Sequence, residues 1–546
     1  MSDFESGTIS VGTLFDAKSF YRIPSYQRPF SWDEEQFDDL VTDTRDAERE
    51  APYFLGNIVL HVDKDGTKVI VDGQQRITSL MILLACLRDA IDDQKVKSEI
   101  QDKILQQART IDKIPQRLRL EVKDRDMFQS VVVDDGGTLK IYDKADYSEP
   151  AYRYVIASTI FHKRIDALTQ DERIDLVQFI ISRCVLIFLQ ANSFDEAFRL
   201  FEIVNDRGKQ LRRIDILKSK NTSPDVITQD SIRDKISAEW EALESQVGED
   251  NFESIFFLMR LIILKDKPKH DLLREFDERI FKAGTLKRGV PFVELLFDYV
   301  RLYKEIFTDK SYIEADTQVG IKYQSLIHIM DAEFSASEWR ACILSYAKRF
   351  GRDGFYEFLQ AIEKLYLTQW TAGTRKDERY ADYTLVLNAI DDAKTPAEAT
   401  AKVPFDEDKI IKQVTRPIVY GAGFCKYALL RLELVTSEHD VPKRFSAKSI
   451  EHVFPQNPAA GSEWVKVAAG EEFGKFVHQI GNLVLISRSK NSSSSNLEFE
   501  EKKKKYLAVR VSDYPRSIGV LSYAEWNPEI IKQRTEEAGK LILSEI

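Results

Sequence analysis

The stretch SIEHVFPQNP, residues 449–458, decides how the C-terminal end of this 546-residue chain is read. It holds His452, one of seven histidines, with Glu451 directly before it and Pro455 three positions after. An acidic residue and a histidine side by side before a strand are, on their own, usually structural. The residues downstream change the reading. IGNLVLISRSKN (480–491) contains a second apolar run with branched residues suited to a strand. NLEFEEKKKKYLAV then reads as a charged helix with Asn496 as its cap. Two strands and a helix would bring a histidine, an acidic residue and two asparagines close together. Phosphodiester hydrolysis needs a base near neutral pH and a divalent metal held by hard oxygens. His452 can be that base, and Glu451 and Asn491 offer the oxygens. Asn482 can brace the loop or orient the histidine. His478, four residues before Asn482, is a weaker candidate ligand, and His439 carries no such pattern.

Composition sets the outer bounds. A hydrophobic fraction of 43% and a charged fraction of 31% suit a globular chain of several domains. The densest apolar stretch, ITSLMILLACL (77–87), is shorter than the ~18 residues of a membrane span. The start, MSDFESGTIS, lacks the basic and apolar regions of a secretory leader. The four cysteines, Cys86, Cys184, Cys342 and Cys425, are far apart, which argues against a zinc knuckle and a disulfide framework and points to a reduced, cytoplasmic setting. The net charge of −11 does not advertise nucleic-acid binding, but such a footprint is local. RGKQLRRIDILKSK (207–220) and the four lysines at 502–505 are the basic runs. Either alone reads as a solvated helix face.

Toward the N-terminus, YFLGNIVLHV (53–62) and TKVIVDG (67–73) are β-rich runs joined by the hairpin signal DKDG (63–66). QQRITSLMILLACLRDAID comes next, with Ile77, Leu80, Met81, Leu84 and Leu87 at helical spacing. CVLIFLQA (184–191) is another strand-like run, and FDEAFRLFEIVNDRGKQL (194–211) reads as a helical block. Residues ~225–400 read as helices with no catalytic constellation, for example FESIFFLMRLIILK (252–265) and EFLQAIEKLYLTQW (357–370). The expected division is 1–222, 223–405 and 406–546.

Two N-terminal motifs carry chemistry: IPSYQRPFSWDEEQ (23–36) and VDGQQRITSL (71–80). Asp72 and Gly73 close a strand and open a helix, whose N-terminus suits an anion. Arg76 can add a charged fork for phosphate, and Gln74 and Gln75 can hydrogen-bond sugar, base or water. Arg28 sits in a loop braced by Pro24, Pro29 and Trp32. Tyr26, Phe30 and Trp32 can line a pocket or belong to the core. No P-loop sequence is present. The plain alternative for DGQQR is an ordinary strand-to-helix turn.

Taken in order, Glu-His, Gly-Asn-Leu, Ser-Lys-Asn and a lysine-bearing helix resemble an HNH (His-Me finger) nuclease with its ββα-metal fold. The two N-terminal motifs, with FLGNIVL (54–60) and FEIVNDRGKQL (201–211), resemble a ParB/sulfiredoxin-like domain. Both ends together resemble GmrSD-type modification-dependent restriction endonucleases. The resemblance covers roughly residues 10–220 and 410–510. It implies an α+β, multidomain fold: an α/β N-terminal domain, a helical middle and an HNH C-terminal domain. It implies His452 as base, Asn482 as support, and Asn491 with Glu451 on Mg²⁺ or Mn²⁺, with Lys502 and Lys503 near phosphate. In the implied mechanism His452 deprotonates water, which attacks phosphorus, and the metal stabilises the leaving O3′. Asp72, Gly73, Gln74, Gln75, Arg76 and Arg28 are implied in binding or hydrolysing a nucleoside triphosphate of unspecified identity, an N-terminal NTPase activity, with Asn205 and Arg207 as lesser members. The expected activity is NTP-linked, metal-dependent cutting of modified or foreign DNA in antiphage defence. The expected partners are DNA, modified phage DNA included, and NTP, with no membrane; a homo-oligomer, RNA as substrate and the kind of cut stay open. The rival expectation is a nucleotide-gated DNA-binding regulator with no nuclease activity.

Overall fold

The computed structural model describes residues 4–24, 27, 29–63, 65–111, 113–192, 196–198, 200–201, 212–445, 449–467, 472–486, 497–507 and 514–546. It divides into two compact units, Met1–Ala238 and Glu239–Ile546. The whole is a mixed α+β, multidomain protein.

The first unit is built on a six-stranded mixed sheet. Its strands are β1 (Phe4–Ser10), β2 (Tyr21–Arg22), β3 (Tyr53–Val62), β4 (Lys68–Asp72), β5 (Leu120–Glu121) and β6 (Cys184–Ala191). The spatial order is β1-β6-β3-β4-β2-β5. β3 and β4 form the antiparallel hairpin expected from DKDG, whereas β3 and β6 run parallel. Helix α1 (Gln74–Ala90) leaves β4 through Gly73 at φ +93°, a left-handed value that glycine adopts at little cost. A Cβ there would lie 2.6 Å from Ile58 Cγ2, so packing also excludes a larger residue.

The sequence pattern predicts an apolar stripe on α1. The structure buries it on every side: Ile82, Leu83, Ala85 and Cys86 are as enclosed as Ile77, Leu80, Met81, Leu84 and Leu87. Helices are apolar all round when they sit at the centre of a core rather than over it. Even Arg88 is buried there. It pairs with Asp89 at 2.7 Å and donates to the carbonyls of Val132, Val133 and Asp134.

The second unit begins with a helical assembly, including Glu249–Leu264, Val290–Tyr303, Trp339–Phe350 and Phe355–Ala372. Glu363, fully buried, accepts from Tyr427 Oη at 2.5 Å and Arg431 Nε at 2.8 Å, tying helix Phe355–Ala372 to helix α2 (Cys425–Val435). Beyond α2, strand β7 (Ser449–His452) pairs antiparallel with β8 (Leu483–Ile486). Helix α3 (Phe499–Leu507) comes next, and α4 (Pro528–Leu541) closes the chain. Phe454, Trp464, Phe476, Val484, Val520 and Trp526 form the small core beneath. The cap expected at Asn496 lies outside the described residues, as does most of 194–211. All four cysteines are buried and form no disulfide. Among the described residues no helix is long and apolar enough to cross a membrane.

Candidate active site and nucleotide motif

β7 ends on His452, whose register partner is Leu483. Successive strand residues face opposite sides, and the two motif residues at this end do so. Glu451 faces α3 and His452 faces the segment around residue 420 and His478. The His452 ring is nearly enclosed, at 6% exposure. Its Nε2 lies 3.3 Å from His478 Nδ1, and its Nδ1 lies 3.1 Å from Gln456 Nε2. Gln456 is exposed, so Nδ1 is the nitrogen on the solvent side. Tyr420 meets the His452 ring edge-on, with centroids 4.3 Å apart, and stacks on His478 at 5.7 Å. Burial, with His478 and Lys502 adding to it, pushes the His452 imidazole down to about 3. The ring is therefore a neutral acceptor throughout the physiological range.

Asn482 is wholly buried and its amide is fully engaged. Oδ1 accepts from Phe454 N at 2.7 Å and Trp526 Nε1 at 3.0 Å, while Nδ2 donates to the carbonyls of Phe454 and Val477. These bonds tie Asn482 to the loop just beyond His452.

The lysines depart from expectation. Lys502 is fully buried and donates to Glu451 Oε1 at 2.9 Å and to the carbonyls of His452 and Val453 at 2.7 and 3.0 Å. An ammonium has three protons, and all three are used inside the protein. Lys502, expected near phosphate, here fastens α3 to β7. Lys503 donates to the Tyr523 carbonyl at 3.0 Å and pairs with Glu500, so it too is held by the fold. Lys504 is exposed.

Glu451 is thus one half of a buried ion pair before it is anything else. Asn491, its expected partner on a metal, lies outside the described residues. Carboxylate and amide oxygens are hard donors, the right chemistry for Mg²⁺ or Mn²⁺. Among the described residues no group of three or more His, Cys, Asp or Glu side chains could hold a metal.

At the N-terminal motif the side chains work as a latch. Gln75 Oε1 accepts from Ser31 N at 2.8 Å and Trp32 N at 3.2 Å, and its Nε2 donates to the Pro29 carbonyl at 3.0 Å. Gln27 Nε2 donates to the Val71 carbonyl at 3.0 Å and reaches that of Ile70 at 3.4 Å. Gln27 and residues 29–32 are thereby docked on β4 and α1. In this structure the Gln75 amide, expected to meet a nucleotide, is engaged by three main-chain groups. Arg76 is half-buried and donates to the Asn57 carbonyl at 2.8 Å. It lies where a Cβ on Gly56 (φ +110°) would fall 2.9 Å from its Cζ. Burial lowers the Arg76 guanidinium, and Asp72 opposes that shift.

Phe30 belongs to the core, with Trp32 packed against it. Tyr26, Arg28, Asn205 and Arg207 lie outside the described residues. The cleft lined by Gln74, Gln75, Thr78 and Tyr154 holds about 30 Å³, far below the ~300–1,000 Å³ of a small-molecule site. A groove of about 700 Å³ shares Ile23, Pro24, Val122 and Lys123 with it, and its cations Arg22, Lys123, Arg125 and Arg233 stand among the carboxylates Asp63, Glu121, Asp230 and Asp234.

The two ends also carry matches to family models. Residues 11–222 match the GmrSD restriction endonuclease N-terminal domain, and residues 405–541 match the C-terminal domain of the same enzymes. The chain belongs to the GmrSD restriction endonuclease family. No curated relative matches it. As a GmrSD protein it carries both domains of a restriction endonuclease, and DNA is the partner that this role implies. Gln456 and Tyr420, both in contact with His452, carry no signal in the sequence. Gln456 lies inside the quoted motif but has no special spacing. Tyr420 sits in RPIVYGAGF (416–424), which signals nothing by itself.

Proposed function

We propose that this GmrSD chain cuts DNA by hydrolysis at an HNH-type site with His452 as the general base. The observation that carries the reading is the placement of the ring. It is held on three sides by Tyr420, His478 and the end of β7, with Nδ1 toward the exposed Gln456. In the proposed step His452 Nδ1 takes a proton from water as the water oxygen bonds to phosphorus and the P–O3′ bond breaks. O3′ leaves with a proton drawn from solvent, and the imidazolium later returns its proton to solvent. A divalent cation, Mg²⁺ or Mn²⁺, would be held by Asn491 and Glu451 and would supply neutralisation of charge at the phosphate. Lys502 holds Glu451 in place. Phosphate contact on α3 would fall to Lys504 rather than to Lys502 or Lys503.

The same proposal includes a nucleoside triphosphate in the N-terminal domain, read as ParB/sulfiredoxin-like. The groove beside the latch has the volume for it, and the small cleft does not. Nucleotide binding would license cutting of modified or foreign DNA in a cytoplasmic antiphage role. The domains would run 1–222, 223–405 and 406–546.

The test is a panel of plain and modified phage DNAs, incubated with purified protein and Mg²⁺, Mn²⁺ or EDTA, with and without each NTP. Cutting that needs metal and is raised by one NTP is expected. Nucleotide binding with no cutting of any DNA would favour a nucleotide-gated DNA-binding regulator instead.

A further inference from the structure

Two rings and an amide form a directed chain at the site. Gln456 Nε2 has only protons to offer, so His452 Nδ1 must accept from it at 3.1 Å. A neutral imidazole then carries its single proton on Nε2. That proton faces His478 Nδ1, 3.3 Å away. His478 Nδ1 therefore accepts, and His478 keeps its own proton on Nε2. Every donor points the same way along the line from Gln456 through His452 to His478.

The position of His478 is itself fixed. Its carbonyl accepts from Val419 N at 3.0 Å and from Tyr420 N at 3.3 Å. Tyr420 then lies nearly parallel to the His478 ring, 13° between planes, and at 70° to that of His452. One side chain thus walls both imidazoles. From Val477 the backbone runs on into Asn482, whose amide donates to the Val477 carbonyl at 2.8 Å. Two separate parts of the chain converge to hold one ring nitrogen at Nε2 of His452.

We propose that His478 is a positioning residue: by accepting the Nε2 proton of His452 it selects the tautomer whose basic lone pair is on Nδ1, the solvent-side nitrogen. The proposal rests on the reading of His452 as the base. Which nitrogen of a histidine is free to act is set by the hydrogen bond the other one makes. The exposed amide of Gln456 can swing away to admit water, whereas His478 stays behind the ring.

The test compares His452→Ala, His478→Phe and His478→Asn in the full chain, on a DNA the unmodified protein cuts. His478→Phe keeps the ring volume but removes the acceptor, and kcat should fall about 10–100-fold with KM unchanged. His478→Asn retains an oxygen acceptor near the same point and should recover most of that loss. A second readout needs no cutting. Histidine-selective ¹⁵N spectra of the unmodified protein, with His452 assigned through His452→Ala, should show its proton on Nε2. In His478→Phe that preference should weaken, because the Gln456 amide alone is left to hold it. Full kcat in His478→Phe beside an inactive His452→Ala would overturn the positioning role alone. A proton on Nδ1 of His452 in the unmodified protein would overturn it whether or not the Phe variant folds. Normal cutting by His452→Ala would instead overturn the reading of the base.

Discussion

The two motif regions use the same kind of side chain to opposite ends. Near the C-terminus, His452 is enclosed by Tyr420 and His478, and its Nδ1 stays on the side of the exposed Gln456. Near the N-terminus, Gln75 is enclosed too, but both ends of its amide close on Ser31, Trp32 and Pro29. In one place the fold leaves a ring nitrogen beside an exposed side chain. In the other it uses the side chain as a fastener. A motif residue can therefore matter for either reason, and only its partners tell which.

The comparison breaks most readily at the fasteners. Asn482→Ala would leave two buried N–H donors, on Phe454 and Trp526, and two buried carbonyls unmet. Each unmet group costs about 1–3 kcal/mol, so a loss of about 4 kcal/mol or more is expected. Thermal melting that shows the second unit unfolding early would bear this out. Lys502→Met removes the ammonium that pairs with the Glu451 carboxylate, and breaking one side of a buried pair costs about 3–5 kcal/mol. Urea denaturation should show that loss. Adding Glu451→Gln should recover part of it, and a Lys502→Met protein as stable as the parent would contradict its role as a fastener.

Gln75→Ala should be milder, about 1–3 kcal/mol, because its partners lie in a partly exposed loop that water can reach. Faster protease cleavage within 23–32 is the expected sign. Acid sensitivity gives the smallest effect. Burial alone would raise the Asp89 carboxyl, yet Arg88 and the Thr138 and Gly136 donors outweigh it and hold it below 3.8. A depressed carboxyl stabilises the fold above its unfolded value and loses that contribution as pH falls through the folded one. Asp89→Asn should therefore show a flatter decline in stability below about pH 4 than the parent.

Much of the fold is legible in the sequence where local pattern and long-range packing agree. β3 and β6 fall on the runs 53–62 and 184–191, and α1 on the apolar series after Gly73. β2 and β5, two residues each, are not legible, because parallel neighbours fix them rather than their own composition. The brace at Asn482 is readable from its place before an apolar strand. The lysine run is not: four identical residues carry no periodicity, so nothing local says that Lys502 turns inward while Lys504 faces solvent. His478 and Tyr420 are brought to His452 by main-chain hydrogen bonds between distant segments, which no spacing in the sequence records.

The most direct test of the central claim is single-turnover cleavage by His452→Ala beside the parent, on the DNA the parent cuts best. Circular dichroism and melting temperature would be matched first. The account predicts an unchanged fold and a cleavage rate lower by at least about 10²–10⁴-fold, the usual contribution of a general base. A correctly folded His452→Ala protein that cuts at the parental rate would contradict it.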